Sequence, residues 1–254
     1  MPVGVALRSM EGDVYVKTDG TVIQGVDLRG CIVVRADDVV IRDSRIRCGG
    51  GPTTPFPIRI IDGFTGLRIE DTEIDGLGRA RVAVLGSNWS ARRIDVHSAV
   101  DGLRMASNTS VEDSYIHDLS RLPESHNDTV QTIGGSGIRI VGNTLLAYNQ
   151  RTDDPMNGAI QTGRLHSPLV GMLVEGNYLD GGSYTVRGGS GPRDGPLITD
   201  YVFRDNVFGR NCMYGPVQGV DPPVTWEPNN VWADTGVVIG TDSRANKLRC
   251  AQTP

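Results

Sequence analysis

Ile41-Arg42-Asp43-Ser44-Arg45-Ile46 returns along the chain as Ile69-Glu70-Asp71-Thr72-Glu73-Ile74, Val111-Glu112-Asp113-Ser114-Tyr115-Ile116 and Ile140-Val141-Gly142-Asn143-Thr144-Leu145. It continues as Val174-Glu175-Gly176-Asn177-Tyr178-Leu179 and Phe203-Arg204-Asp205-Asn206-Val207-Phe208. Each copy reads hydrophobic, any residue, Asp or Gly, small polar, any residue, hydrophobic. A weaker copy spans Ala91 to Val96, and Ile23 to Leu28 opens the series. The copies end at positions 28, 46, 74, 96, 116, 145, 179 and 208, at intervals of 18, 28, 22, 20, 29, 34 and 29. Constant strands joined by turns of variable length give this pattern, because each coil buries its apolar edge only by stacking on the next. Val, Ile and Thr dominate the phrases, which favours strands. No window holds helical spacing over three turns. The spacing therefore predicts an all-β chain: a single right-handed parallel β-helix of roughly eight coils over 1–212, with 213–254 as the closing segment of the same domain.

Asp or Gly followed by Ser, Thr or Asn marks a sharp bend between two strands. Stacked Asn143, Asn177 and Asn206 are expected to bond along the axis as a ladder. The 33 glycines among 254 residues fit a narrow core with many turns. The formal net charge of -5 leaves no basic footprint for nucleic acid. An acidic ligand must be met locally, and by arginine, since Lys17 and Lys247 are the two lysines. Cys31, Cys48, Cys212 and Cys250 show no zinc spacing and read by default as free, buried thiols; a Cys31–Cys48 bridge stays open. Nothing in the sequence reads as a membrane span, and Met1 to Ala6 lacks the pattern of a signal peptide. The expectation is a chain that begins here when mature or leaves its cell without a secretion signal.

A second strand aligns between the phrases. Asp101-Gly102-Leu103-Arg104, Asp128-Thr129-Val130-Gln131, Gly158-Ala159-Ile160-Gln161 and Tyr184-Thr185-Val186-Arg187 superpose. Leu103, Val130, Ile160 and Val186 then point inward, and Arg104, Gln131, Gln161 and Arg187 form an outer row about 4.8 Å apart per rung. Such a row suits sugar hydroxyls and carboxylates; it equally serves as an ordinary solvated face. Asn127 joins it as a candidate ligand contact. Asp101 and Asp128, one rung apart, have the separation of paired carboxylates in glycoside hydrolysis, and His126 completes a candidate catalytic set. Strict alternation, however, puts Asp128 on the inward side with Val130, where such a residue most often caps backbone amides of the adjacent turn. His97 and His117 occupy equivalent positions and read as stacked turn residues. No metal site is expected, and no cofactor; calcium lacks a supporting motif.

The runs Gly20-Thr21-Val22-Ile23-Gln24-Gly25-Val26-Asp27, His126-Asn127-Asp128-Thr129-Val130-Gln131 and Gly142-Asn143-Thr144-Leu145 resemble right-handed β-helix repeat proteins of actinobacteria and their phages. The resemblance covers roughly residues 10 to 210. The family pattern of His, Asn or Ser, Asp, Gly, hydrophobic, Gln is met at all positions except Thr129, where Gly is usual. Proteins of this type are similar to pectate lyases, polygalacturonases and phage tailspikes, which bind or cut polysaccharide along the helix side. The resemblance implies a virion protein of tail or capsid, contacting host-surface glycan or other virion proteins. The alternative is a secreted, extracellular carbohydrate-active enzyme, a polysaccharide lyase or glycoside hydrolase. Tyr214, Trp226 and Trp232, in the Pro-rich stretch from Met213 to Trp232, are of the kind enriched in interface cores. They suggest a homo-oligomer, most readily a homotrimer.

Overall fold

The computed structural model describes residues 6–51, 54–162, 166–188, 197–220, 222–242 and 250. Among them are 26 strands and no helix. Every pairing between these strands is parallel, as a β-helix requires. Each coil runs over three faces. The first face carries the ends of the repeated phrase, as in Val26–Arg29 and Arg45–Arg47; the second follows it, as in Ile32–Val34 and Ile58–Ile60. The third face, a separate nine-stranded sheet, carries the phrase beginnings, as in Val40–Arg42 and Leu67–Glu70. Glu73–Gly86 and Asp95–Met105 run without a break from first face to second and merge the two into one 17-stranded sheet.

The core is three inward columns in register. On the first face Met10, Leu28, Ile46, Ile74, Val96, Ile116, Leu145, Leu179, Phe208 and Trp232 stack in turn. Ile46, Ile74, Ile116, Leu145, Leu179 and Phe208, the expected single stack, are all fully buried. The second face stacks Ile32, Ile58, Val84, Leu103, Val130, Ile160, Val186 and Val217. The third stacks Ile23, Ile41, Ile69, Ala91, Val111, Ile140, Val174, Phe203 and Trp226.

The bend between third and first face has one backbone solution. Gly25, Asp43, Asp71, Arg93, Asp113, Gly142, Gly176 and Asp205 all take φ between 47° and 67°. That left-handed conformation suits Gly and, among side-chain residues, Asn and Asp, of which Asp is used at this bend. The next residue turns inward and is buried. Asn143 Nδ2 donates to Asn177 Oδ1 at 2.9 Å, Asn177 to Asn206 at 3.0 Å, and Asn206 to Asn230 at 2.8 Å. The expected ladder is present and extends one rung further, to Asn230. Each amide also serves backbone: Asn177 Nδ2 donates to the Ile140 carbonyl and Asn177 Oδ1 accepts the Asn143 N–H.

The cysteines correct their default reading. Cys31 pairs with Cys48, and Cys212 with Cys250, with Cα separations of 5.3 and 5.4 Å. Cys31 and Cys48 follow the stacked residues Arg29 and Arg47, so successive coils bring them side by side. The aromatic stretch is corrected too. Trp232 is buried in its own chain as the rung after Phe208, and Trp226 lies 5.2 Å from the Phe203 ring as the next rung of the third column. Trp232 is core, Trp226 is a partly buried extension of it, and Tyr214 stays exposed.

Because Asn177 satisfies neighbours above and below, Asn177→Ala should cost about 2–3 kcal/mol, the scale of buried backbone groups left unpaired. Urea unfolding measures it; a loss below about 0.5 kcal/mol would show that the ladder contributes nothing.

Candidate functional site

The variable intervals of the repeat come from corner insertions, several of them between first and second face. Two such insertions, 117–127 and 148–157, sit one coil apart. Arg121 ties them together: its Nε and Nη2 donate to Asp154 at 2.5 and 2.8 Å, and its Nη1 donates to the Ser125 carbonyl at 3.2 Å. Asn157 Oδ1 accepts the Asn127 N–H at 3.0 Å, and Asn157 Nδ2 lies 3.4 Å from His126 Nδ1. The bridged Arg121 guanidinium holds the Asp154 carboxyl below the usual carboxylate range, against a smaller opposing effect of burial. His126, exposed at the end of the first insertion, is thereby held over a cleft of about 640 Å³. Asp101, Arg104, Gln131 and Phe56 line the same cleft.

The expected row exists. Arg104, Gln131, Gln161 and Arg187 are in register on adjacent rungs, half-buried, and the row runs on to exposed Gln218. Beyond Gln161, Arg187 lies over the Tyr184 ring, and Tyr214 lies 5.8 Å from Tyr184. Four buried atoms of this band have no hydrogen-bond partner among the described residues: Arg104 Nε, Asp128 Oδ1, Gln161 Oε1 and Arg187 Nε. The others of that kind are Trp232 Nε1 and Arg204 Nε, and the latter sits 3.1 Å from Glu175 in an ion pair. Native structures leave few buried polar groups unpaired, so these four atoms call for water or a ligand to complete them.

The parity argument for Asp128 is overturned. Each second-face strand here begins with three consecutive buried residues, as in Asp128-Thr129-Val130, Gly158-Ala159-Ile160 and Tyr184-Thr185-Val186. The corner breaks the period of two and returns the Asp to the side of the residue three positions on. Asp101 Oδ2 accepts from Arg104 Nη2 at 2.9 Å, and Asp128 Oδ2 accepts from Gln131 Nε2 at 3.4 Å. Asp128 caps no backbone amide among the described residues; Asp101 does, accepting the Asp128 N–H at 3.2 Å. Thr129, standing where Gly is usual, is fully buried and donates to the Ala159 carbonyl at 2.6 Å, clear of the cleft.

The two carboxyl groups differ in access. Asp101 is 4% exposed and opens on the cleft; Asp128 is fully buried behind it. Burial, then the Asp101 charge, push the Asp128 carboxyl well above its ordinary value, and burial raises Asp101 against the pull of Arg104. Asn127 is also corrected. It is 0% exposed, and its Nδ2 donates to the carbonyls of Val100 and Ser120, so it fastens the insertion and reaches no ligand. His97 and His117 lie on adjacent coils with ring centroids 5.5 Å apart and planes tilted by 40°, outside the cleft lining. His117 is hydrogen-bonded to Asp95 and Asp118; burial opposes its charge, but the two carboxylates outweigh burial and raise the ring's pKa. Sequence reasoning missed Arg121 and Phe56; it offered Asp154, with Asp153, as a candidate hydrolase carboxylate, and the structure gives Asp154 to Arg121 instead. The two insertions held the signal, but which of their side chains meet is not periodic.

A raised Asp128 pKa means that folding favours the protonated form. Its stabilising contribution is full below the unfolded value near 4 and is lost as pH rises through the higher folded value. Asp128→Asn should therefore gain stability relative to the parent between pH 4 and pH 7, read from melting temperatures at both. An equal loss at both values would mean that the carboxylate makes a native bond. No protein-family model matches this chain, and no curated protein is similar to it; its fold and this cleft are what its function is read from.

Proposed function

We propose that this chain is a phage virion β-helix, of tail or capsid, whose second face contacts host-surface glycan from Phe56 through the Arg104–Gln131–Gln161–Arg187 row. The band of unpartnered buried polar atoms along that row carries the reading. Its forked donors and amides are spaced by the rung, and aromatic rings lie at both ends, Phe56 at one and Tyr184 with Tyr214 at the other. Planar multi-donor groups match sugar hydroxyls and carboxylates, and aromatic faces match the apolar faces of sugar rings. Two disulfides fit work outside a reducing cytosol, as on a virion surface. The same neighbours, other virion chains included, can cover faces that the glycan leaves free.

A second reading, a carbohydrate-active enzyme exported from its cell, is favoured by the carboxyl pair. Two carboxyls one rung apart cannot readily both ionise, so the pair holds one proton to a higher pH than a lone carboxyl does. Fully buried Asp128 holds that proton, and Asp101, open to the cleft and paired with Arg104, is the carboxylate that acts on a bound sugar, with His126 in the same lining.

Arg104→Ala with Gln131→Ala should weaken binding to polysaccharide from host envelopes at least tenfold at a temperature where the variant stays folded, alongside a stability loss from unpairing Asp101 and Asp128. Unaltered binding with a large stability loss would make the row structural. Release of reducing ends that stops in Asp101→Asn, while binding persists, would select the enzyme reading over the purely binding one.

Arg121→Ala should free the bridged insertions. Limited proteolysis within 148–157 should quicken, and the His126 ring resonances should shift even without ligand. Arg121→Lys should restore part of both, because lysine keeps the charge but not the two-pronged bond. Unchanged cleavage and resonances would rule out the clasp.

A further inference from the structure

On the third face, away from the cleft, Arg68, Ser90, Ser110 and Arg139 form one outward column in register. Two small hydroxyl residues between two long basic ones leave a shallow dip of about 600 Å³, open along the helix axis. Its edge is fixed. Asn108 Nδ2 donates to Asn88 Oδ1 at 2.9 Å, and Asn88 Nδ2 donates to the Phe64 carbonyl at 3.2 Å. Three rungs separate the arginines, about 14 Å at the usual strand spacing.

The column stands apart from its neighbours. Two positions further along the same strands, Arg42, Glu70, Arg92 and Glu112 alternate in sign. Arg42 bonds Gln24, Arg92 and Arg93 bond Asp113 and Asp71, and Arg204 bonds Glu175. The side chains of Arg68, Ser90, Ser110 and Arg139 bond nothing among the described residues. The dip thus offers two guanidinium forks and two hydroxyls, with no acid in its lining, on a chain of net charge -5. Donors from both ends and from the floor match an oxyanion, which guanidinium binds through two parallel bonds.

We propose that this dip is a second binding site, for an oxyanion carried on a saccharide: a carboxylate, sulfate or phosphate group clasped between Arg68 and Arg139 above the two serine hydroxyls. The shallow floor exposes more apolar than polar surface between the two arginines, which suits the apolar face of a sugar ring, and the overall negative charge disfavours nucleic acid. The site shares no residue with the cleft, so the two stand or fall separately.

The test is calorimetric titration of the folded chain with a uronate oligosaccharide, a sulfated oligosaccharide, a phosphorylated oligosaccharide, a neutral oligosaccharide of equal length and a single-stranded oligonucleotide. At least one charged oligosaccharide should bind, more weakly as salt rises, and the arm that binds identifies the anion. Arg68→Gln with Arg139→Gln should weaken that binding at least tenfold at an unchanged melting temperature, whereas Arg104→Ala with Gln131→Ala should leave it intact. Equal binding of the neutral sugar or of the oligonucleotide overturns the proposal, as does charged-sugar binding that survives loss of both arginines. Loss only in the Arg104 and Gln131 variant would assign the binding to the cleft and overturn this site while supporting the other.

Discussion

Parallel stacking of like on like governs this molecule. A residue of one coil is covered by its register partner in the next, and the inward columns are continuous from Met10 to Trp232 on the first face. No coil has a core of its own, so stability accumulates through nearest-neighbour interfaces. Wider residues collect toward the C-terminal coils: Phe203, Phe208, Trp226 and Trp232 lie together there, with ring centroids 5.2 and 5.9 Å from Trp226 to the two phenylalanines.

The same register disciplines polar groups. At the bend after the third face, an inward residue would bury unpaired polar atoms; stacking turns that liability into a ladder in which each amide serves its neighbour and the backbone. Outside, the register lines up charges, and most arginines of the third face meet a carboxylate or amide of an adjacent coil. Against this regularity the departures become informative. Buried atoms without partners concentrate along Arg104, Asp128, Gln161 and Arg187, and bracketing arginines without partners mark the dip over Ser90 and Ser110.

Length variation is confined to corners, where added residues leave the columns undisturbed. Arg121 and Asp154 join two such insertions, and His126 and Asp101 line one cleft. A rigid sheet with adjustable corner loops separates what holds the fold from what meets a ligand.

The sequence by itself determined the β-helix, the phrase register, the inward stack, the asparagine ladder and the Arg-Gln-Gln-Arg row, since each repeats with the coil. It also placed Cys31 and Cys48 at nearly the same point of successive coils, a signal that the default reading of free thiols passed over. Tertiary structure alone decided the rest. The corner at Asp128-Thr129-Val130 breaks strand alternation, so the carboxyl lies on the side of Gln131 and not where parity put it. Asn127, outward by the same count, is buried by its bonds to Val100 and Ser120. Trp232 became core, and Trp226 its partly buried extension, because two columns needed a last rung. A repeat specifies what recurs at every coil; a corner occurs once, and its side chains take directions that only the packed neighbours fix.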